Sequence, residues 1–227
     1  MLFRSVTALD PRLLFAFEVG AMVVFSSVLY RWLFSGSSRS VHLLVLVGIV
    51  FGVLFRSLSS FMQRIIDPGE FVVLQDRLFA SFNTVDGSLL AVSLVTVLAV
   101  SVVGWRFVHV YDVLSLGREA AINLGVDHNR AVTVILVLVA ILVSVSTALV
   151  GPVTFFGLLV ANLAYQIAGT HKHRFILPIA SLIAVICLVG GQLVLERVFA
   201  FDTALSIVIE FVCGIVFLTL LIKGTAR

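Results

Sequence analysis

Charge is scarce in this chain. Charged residues make up 12% of its 227 positions, against about 25% in soluble domains, which excludes an ordinary water-solvated globule. Lysine occurs at two positions, Lys172 and Lys223, with no glycine before either, so a phosphate-binding Walker loop is excluded and any ATP used here is hydrolysed by another chain. Cysteine also occurs twice. Cys187 and Cys213 both sit inside apolar runs, where they act as small hydrophobes, with neither a disulfide framework nor metal-ligand spacing open to them. The sequence lacks His-Glu-x-x-His, Gly-x-Ser-x-Gly and a pair of aspartates within apolar spans, so hydrolytic catalysis has no motif to rest on. The chain is read as a non-enzyme, with no cofactor and no metal site of its own.

Apolar residues are abundant. They reach 61% of the chain with a mean hydropathy of +1.20, the composition of an integral membrane protein. Crossing a hydrocarbon core of about 30 Å takes about 20 residues of helix. Stretches near that length run from Leu13 to Phe34, Val41 to Met62, Ser88 to Val110, Ala131 to Val150, Val153 to Ala168, Phe175 to Val198 and Leu205 to Ile222. The expected fold is therefore all-α, a polytopic membrane helix bundle of about seven spans forming one domain over residues 1–227. The Val153 run is short and follows Gly151-Pro152, which favours a helix that begins just inside the membrane.

The net charge of +3 and pI near 9.2 reflect topology, not nucleic-acid binding. Arg31, Arg39, Arg106, Arg118, Arg130, Lys172, Arg174, Lys223 and Arg227 fall on one side of the spans, nine of fifteen basic residues. Arg4, Arg12, Arg56, Arg64, Arg77 and Arg197 fall on the other, whose longest loop also carries Asp67, Glu70, Asp76 and Asp86. The first side is cytoplasmic by the positive-inside rule. Seven spans then place the first residues of the chain outside, although the opening Met1-Leu2-Phe3-Arg4 is not a secretory signal.

One stretch between the apolar runs is amphipathic, Leu114 to Asp127. Leu116, Ala120 and Leu124 recur at i, i+4 and i+8 on one helical face, with Arg118, Glu119 and Asn123 elsewhere. Gly125 suits the left-handed residue that ends a helix, and Asp127 can cap the next. So short a helix is marginal alone in water. It is either a docking element for another protein or a loop helix resting on its own domain. On the outer side, residues 63–87 combine the turn signal Asp67-Pro68-Gly69 with two short apolar runs, and Asn83 to Gly87 offers a cap for the third span. That segment is either a solvated loop or a cover over the outer surface.

Ionisable residues within or near spans are Glu18, Arg56, Glu196, Arg197 and Glu210, each expected in a bundle interior, a cavity or the interface. Glu196 and Arg197 are close enough to a span end to reach the headgroups. Gly48-Ile49-Val50-Phe51-Gly52 fits close helix packing, a weak signal.

Three motifs stand in register: Leu116-Gly117-Arg118-Glu119-Ala120-Ala121-Ile122-Asn123-Leu124-Gly125-Val126, then Gly151-Pro152-Val153-Thr154-Phe155-Phe156-Gly157-Leu158, then His173-Arg174-Phe175-Ile176-Leu177-Pro178. In order and spacing they resemble the iron-chelate and vitamin B12 permease family of bacterial ABC importers, across Ser88 to Gly224 and more loosely back to Leu13. Asp67-Pro68, Phe79 to Asn83 and Gly190-Gly191-Gln192 look most like the second permease subunit of a catechol-type siderophore importer. The resemblance implies a type II ABC importer transmembrane fold of ten helices, so that about three N-terminal helices are expected to be lacking here. It implies a homo- or heterodimer with a second permease subunit, separate ATP-binding subunits and a periplasmic or lipoprotein siderophore-binding protein, all at the bacterial inner membrane.

By the same resemblance, the stretch from Leu116 to Val126 is the coupling helix that fits a cleft of the ATPase. Leu116, Gly117, Arg118, Glu119, Ala121, Leu124 and Gly125 are its candidate contacts, with Gly117, Ala121 and Gly125 permitting close approach. Arg197 is the candidate for docking the binding protein, offset by about one residue from the family's position because Glu196 intervenes. Two departures are visible: Ala161-Asn162 stands where many relatives carry Pro-His, and Leu205-Ser206-Ile207-Val208 replaces their Leu-Pro-x-Gly.

The reading is a permease subunit translocating an iron–siderophore complex, driven by a partner's ATP hydrolysis. The alternatives are an ion-driven secondary transporter using Glu18 and Glu210, and an inactive permease fragment. Exchange of Glu18 and Glu210 for Gln separates the first two: the importer reading expects uptake that stays independent of a sodium or proton gradient in both variants, and a gradient requirement abolished by either exchange would support the secondary transporter.

Overall fold

The computed structural model describes residues 10–34, 41–66, 82, 85–153, 156–197 and, further on, 207, 209–211, 214–216 and 219. Every element among these is a helix: α1 Pro11–Phe34, α2 Val41–Gln63, α3 Gly87–Arg106, α4 Val108–Leu114, α5 Arg118–Asn123, α6 His128–Val150, α7 Phe156–Ala168 and α8 His173–Arg197. Among the described residues, five are long and apolar enough to span a membrane: α1, α2, α3, α6 and α8. At 1.5 Å per residue, the 13 residues of α7 extend only about 20 Å. It begins beyond Gly151, whose φ of 103° ends α6, and is a short apolar helix. The expected last span falls mostly outside the described residues, and so does most of the segment 63–87.

The helix ends follow local chemistry. Asp86 accepts the Ser88 N–H at 2.8 Å and caps α3, the role expected of the Asn83 to Gly87 stretch. The third span stops earlier than its apolar run. Phe107, at φ −94° and ψ 6°, leaves helical geometry, and its N–H turns back to the Gly104 carbonyl at 3.0 Å. The chain then restarts as α4, so residues 108–110, Val108, His109 and Val110, belong to a separate helix, not to the span. Tyr111 folds back toward α3, its hydroxyl 3.5 Å from where a Cβ on Gly104 would lie.

α6 is the helix on which the bundle is assembled, packing on α1, α3 and α5. Its buried residues Ala131, Ala140, Ser144 and Val145 are small or short, which lets neighbouring backbones come close where lipid removes any hydrophobic gain from helix contact. α7 packs along α8. A second apolar cluster lies there, with Leu159, Leu195 and Ile209 buried and Phe156, Leu163 and Leu188 against them. Asn162 donates to the Leu158 carbonyl at 2.8 Å, which satisfies its amide within its own helix.

Phenylalanines join α2 to α1. Phe25 meets Phe51 and Phe55 edge-on, with centroids 6.0 and 5.3 Å apart. No atom lies within 4 Å of a Cβ built on Gly48 or Gly52, so that pair packs no described helix closely. Each T-shaped pair contributes about 0.5–1.5 kcal/mol. Phe25→Ala therefore weakens α2 docking by about 1–3 kcal/mol in sum, read as faster proteolysis of the α1–α2 region in mild detergent, while Phe61→Ala, at an exposed position of α2, leaves the rate unchanged.

Candidate functional site

Between α3 and α6 the chain leaves the spans and forms an arm, α4, a turn at residues 115–117, and α5. The expected single helix from Leu114 is two pieces. Gly117 causes the break, with φ 97° and ψ 167°, a region essentially confined to glycine. Gly125, at φ 83°, ends α5 in a Schellman motif: the Val126 N–H bonds the Ala121 carbonyl at 3.0 Å and the Gly125 N–H bonds the Ile122 carbonyl at 2.9 Å. Asp127 then caps α6 by accepting the Arg130 N–H at 3.2 Å. Nothing lies within 4 Å of a Cβ built at Gly117 or Gly125, so within this chain both glycines serve backbone conformation.

The face that α5 buries differs from the one its spacing suggests. Ala121 is 0% exposed and turns inward, on the helix that rests against α4 and α6. Leu116 and Leu124 are 64% and 61% exposed, and Ile122 is 51% exposed. Arg118 and Glu119 are exposed beside them. The outward surface is thus an apolar trio with one charge of each sign. Ile122 was not singled out by the i, i+4, i+8 pattern, because the helix starts at Arg118 and Leu116 lies in the turn before it. Leu116 in the turn before the helix, Ile122 within it and Leu124 at its C-cap are thus three large apolar residues left exposed along this arm, available for contact with another surface.

The arm is held from behind. Asp112 Oδ1 on α4 accepts the backbone N–H of His173 at 2.8 Å and lies 2.7 Å from its Nδ1. His173 is the first residue of α8, so a side chain 61 residues upstream supplies a cap to that helix. Tyr111 sets its ring edge-on to His173 at 5.7 Å, and the Ser115 hydroxyl donates to the Asp112 carbonyl at 2.7 Å. The His173 backbone N–H, then the His173 ring, hold the Asp112 carboxyl below its ordinary range, with His109 adding to the effect. A cavity of about 700 Å³ opens beside this contact, lined by Trp105, Tyr111, His173, Leu177, Pro178 and Ser181 among others.

The other residues proposed from sequence lie apart. Arg197 is exposed at the last turn of α8, the end opposite His173 and about 36 Å away along a helix of 25 residues. Glu196 beside it accepts the Gln192 amide at 3.0 Å. Glu18 and Arg56 are exposed on α1 and α2, and Glu210 is half-buried, so the two carboxylates suggested for an ion pathway sit on different segments. Among the described residues, no three His, Cys, Asp or Glu side chains converge as a metal site requires.

A bundle of apolar spans presenting a short, exposed, glycine-bounded helix from one end is the architecture of a membrane permease. The chain belongs to the FecCD transport family, whose profile it matches over residues 1–223. It is 50% identical over 219 residues to a petrobactin import system permease protein of Bacillus subtilis, covering 96% of this chain and 70% of that protein. It is 41% identical over 212 residues to a petrobactin import system permease protein of Bacillus anthracis, covering 93% of this chain and 60% of that one. The fold is that of a solved metal-chelate type ABC transporter in an inward-facing conformation, with a TM-score of 0.83 at 23% identity over 96% of this chain and 70% of its counterpart.

Two outcomes follow from the arm. Asn tolerates the left-handed region but not the conformation of Gly117, so Gly125→Asn is near neutral while Gly117→Asn destabilises the arm by about 1–3 kcal/mol, measured as protease susceptibility of residues 115–127. The contribution of Asp112 has the sign of a depressed carboxylate: present above the ordinary carboxylate pKa and lost as pH falls through the lower folded value. The protection of the amides in the first turn of α8, relative to their intrinsic exchange rate at each pH, therefore holds at neutral pH and falls only below about pH 4.

Proposed function

We propose that this chain is the transmembrane permease subunit of a bacterial ABC importer that carries an iron–siderophore complex across the inner membrane. The exposed surface of α5 carries the proposal. Exposed Ile122 on the helix, with exposed Leu116 and Leu124 at its two ends and Arg118 and Glu119 beside them, between two glycine turns, is a compact feature that a cleft on an ATP-binding subunit could grip. Family membership and 50% identity to a petrobactin permease support the substrate class, and petrobactin is the siderophore named for both relatives. The partners in this reading are two ATP-binding subunits, a second permease subunit and an extracytoplasmic siderophore-binding protein.

The mechanism is alternating access. Closure of the ATP-binding subunits on nucleotide moves α5, and the bundle exchanges between outward- and inward-open states that differ in affinity for the loaded binding protein. This chain supplies no chemistry in that cycle. It supplies a pathway and a handle, and in this reading Arg197, at the end of α8 far from His173, receives the binding protein.

The test is co-purification of the complete operon product, wild type against Leu124→Arg. Leu124 is exposed and has φ −83°, so the exchange puts a bulky charge on the docking face without backbone strain. The expected result is a folded permease in the membrane that no longer retains the ATPase and no longer imports radiolabelled iron(III)–petrobactin. Full retention of the ATPase by this variant would remove α5 as the docking element.

A further inference from the structure

The docking reading explains the outward face of the arm but leaves its inner attachment without a task. Beside the packing of Ala121 and of Tyr111 on α3, the arm's polar contacts meet at one place. Consecutive residues of α4, Tyr111 and Asp112, grip the first residue of α8, one by an aromatic edge at 5.7 Å and the other through two contacts of 2.7 and 2.8 Å to a single carboxylate oxygen. Two elements far apart in sequence are thus joined where α8 begins, at a side-chain exposure of 18% for His173 and 31% for Asp112. The Ser115 hydroxyl ties the same turn back to α4, and Gly117 begins α5 two residues later.

Five residues into α8 stands Pro178. It has no N–H to give the Arg174 carbonyl, so the helix is weakest between its first turn and its long membrane portion. Leu177, Pro178 and Ser181 line the same cavity as Tyr111 and His173. The first turn of α8 therefore has a grip on one side, a weak joint behind it and open space next to it.

Building on the docking reading above, we infer that the Asp112–His173 contact is the strut that carries movement of α5 into α8, with Pro178 as the hinge about which the first turn swings. Asp112 and His173 are positioning residues in this inference: they act by making α8 follow the arm. An ionised carboxylate on two donors is a stiff joint compared with the apolar contacts around it. Removing it leaves α5 able to bind the ATPase while the bundle responds less to its closure.

The readout that isolates this role is the number of iron(III)–petrobactin complexes imported per ATP hydrolysed, measured on the whole importer in proteoliposomes. This ratio does not depend on how much complex folds. Asp112→Ala is expected to retain the ATPase and its hydrolysis while lowering the ratio roughly tenfold, the size of one lost charged hydrogen bond. Asp112→Asn, which keeps an oxygen to accept the His173 N–H, is expected to fall between the two. An unchanged ratio in Asp112→Ala overturns the strut. If Asp112→Ala fails to assemble, a wild-type ratio in Asp112→Asn overturns it by the same logic. A wild-type permease that binds no ATPase overturns the docking reading together with the inference, and is seen before any variant is compared.

Discussion

In hydrocarbon every backbone N–H and C=O must find its partner within its own segment, so the chain can cross only as helix and can turn only where water or protein takes over. That constraint decides where structure of any other kind is found. Gly117, Gly125 and Gly151, at φ 97°, 83° and 103°, all lie at helix ends. The two that bound α5 convert what would be one long amphipathic helix into a short presented one. The irregular backbone of the arm therefore stands at the ends of spans, while α6 packs through small residues such as Ala140 and Ser144.

The ends are not independent. The orphan N–H groups at the start of α8 need acceptors, and the chain meets part of that need from another element, through Asp112. Because the donors belong to a span and the acceptor to the arm, a local requirement of helix termination becomes a link between two parts of the molecule. The helix ends capped from nearby, Asp86 on α3 and Asp127 on α6, create no such link.

What could be read from sequence follows the range of the interactions. Local features were legible: the apolar runs that became α1, α2, α6 and α8, the cap at Asp86, the stop at Gly125 and the cap at Asp127 all depend on residues within a few positions of each other. Family membership was legible too, because three motifs keep their order and spacing. The end of α3 at Arg106 was not, since Phe107, Val108 and Val110 prolong the apolar run and the break is made by Phe107 and the return of Tyr111 toward Gly104. Nor was the buried face of α5, where a start at Arg118 turns Ala121 inward and leaves Ile122 outside. The Asp112–His173 contact spans 61 residues and has no periodic signature, and neither Asp112 nor His173 was marked beforehand as a pair.

The central claim is that the outward face of α5 is where this permease meets its ATPase. Single cysteines at Leu116, Ile122 and Leu124, with Val185 on the exposed face of α8 as a control, test it directly when cross-linked in the assembled importer with a short bifunctional reagent. Adducts with the ATP-binding subunit from the α5 positions and none from Val185 are the predicted result. Absence of adducts from all three α5 positions, in a complex that still contains the ATPase, would contradict it.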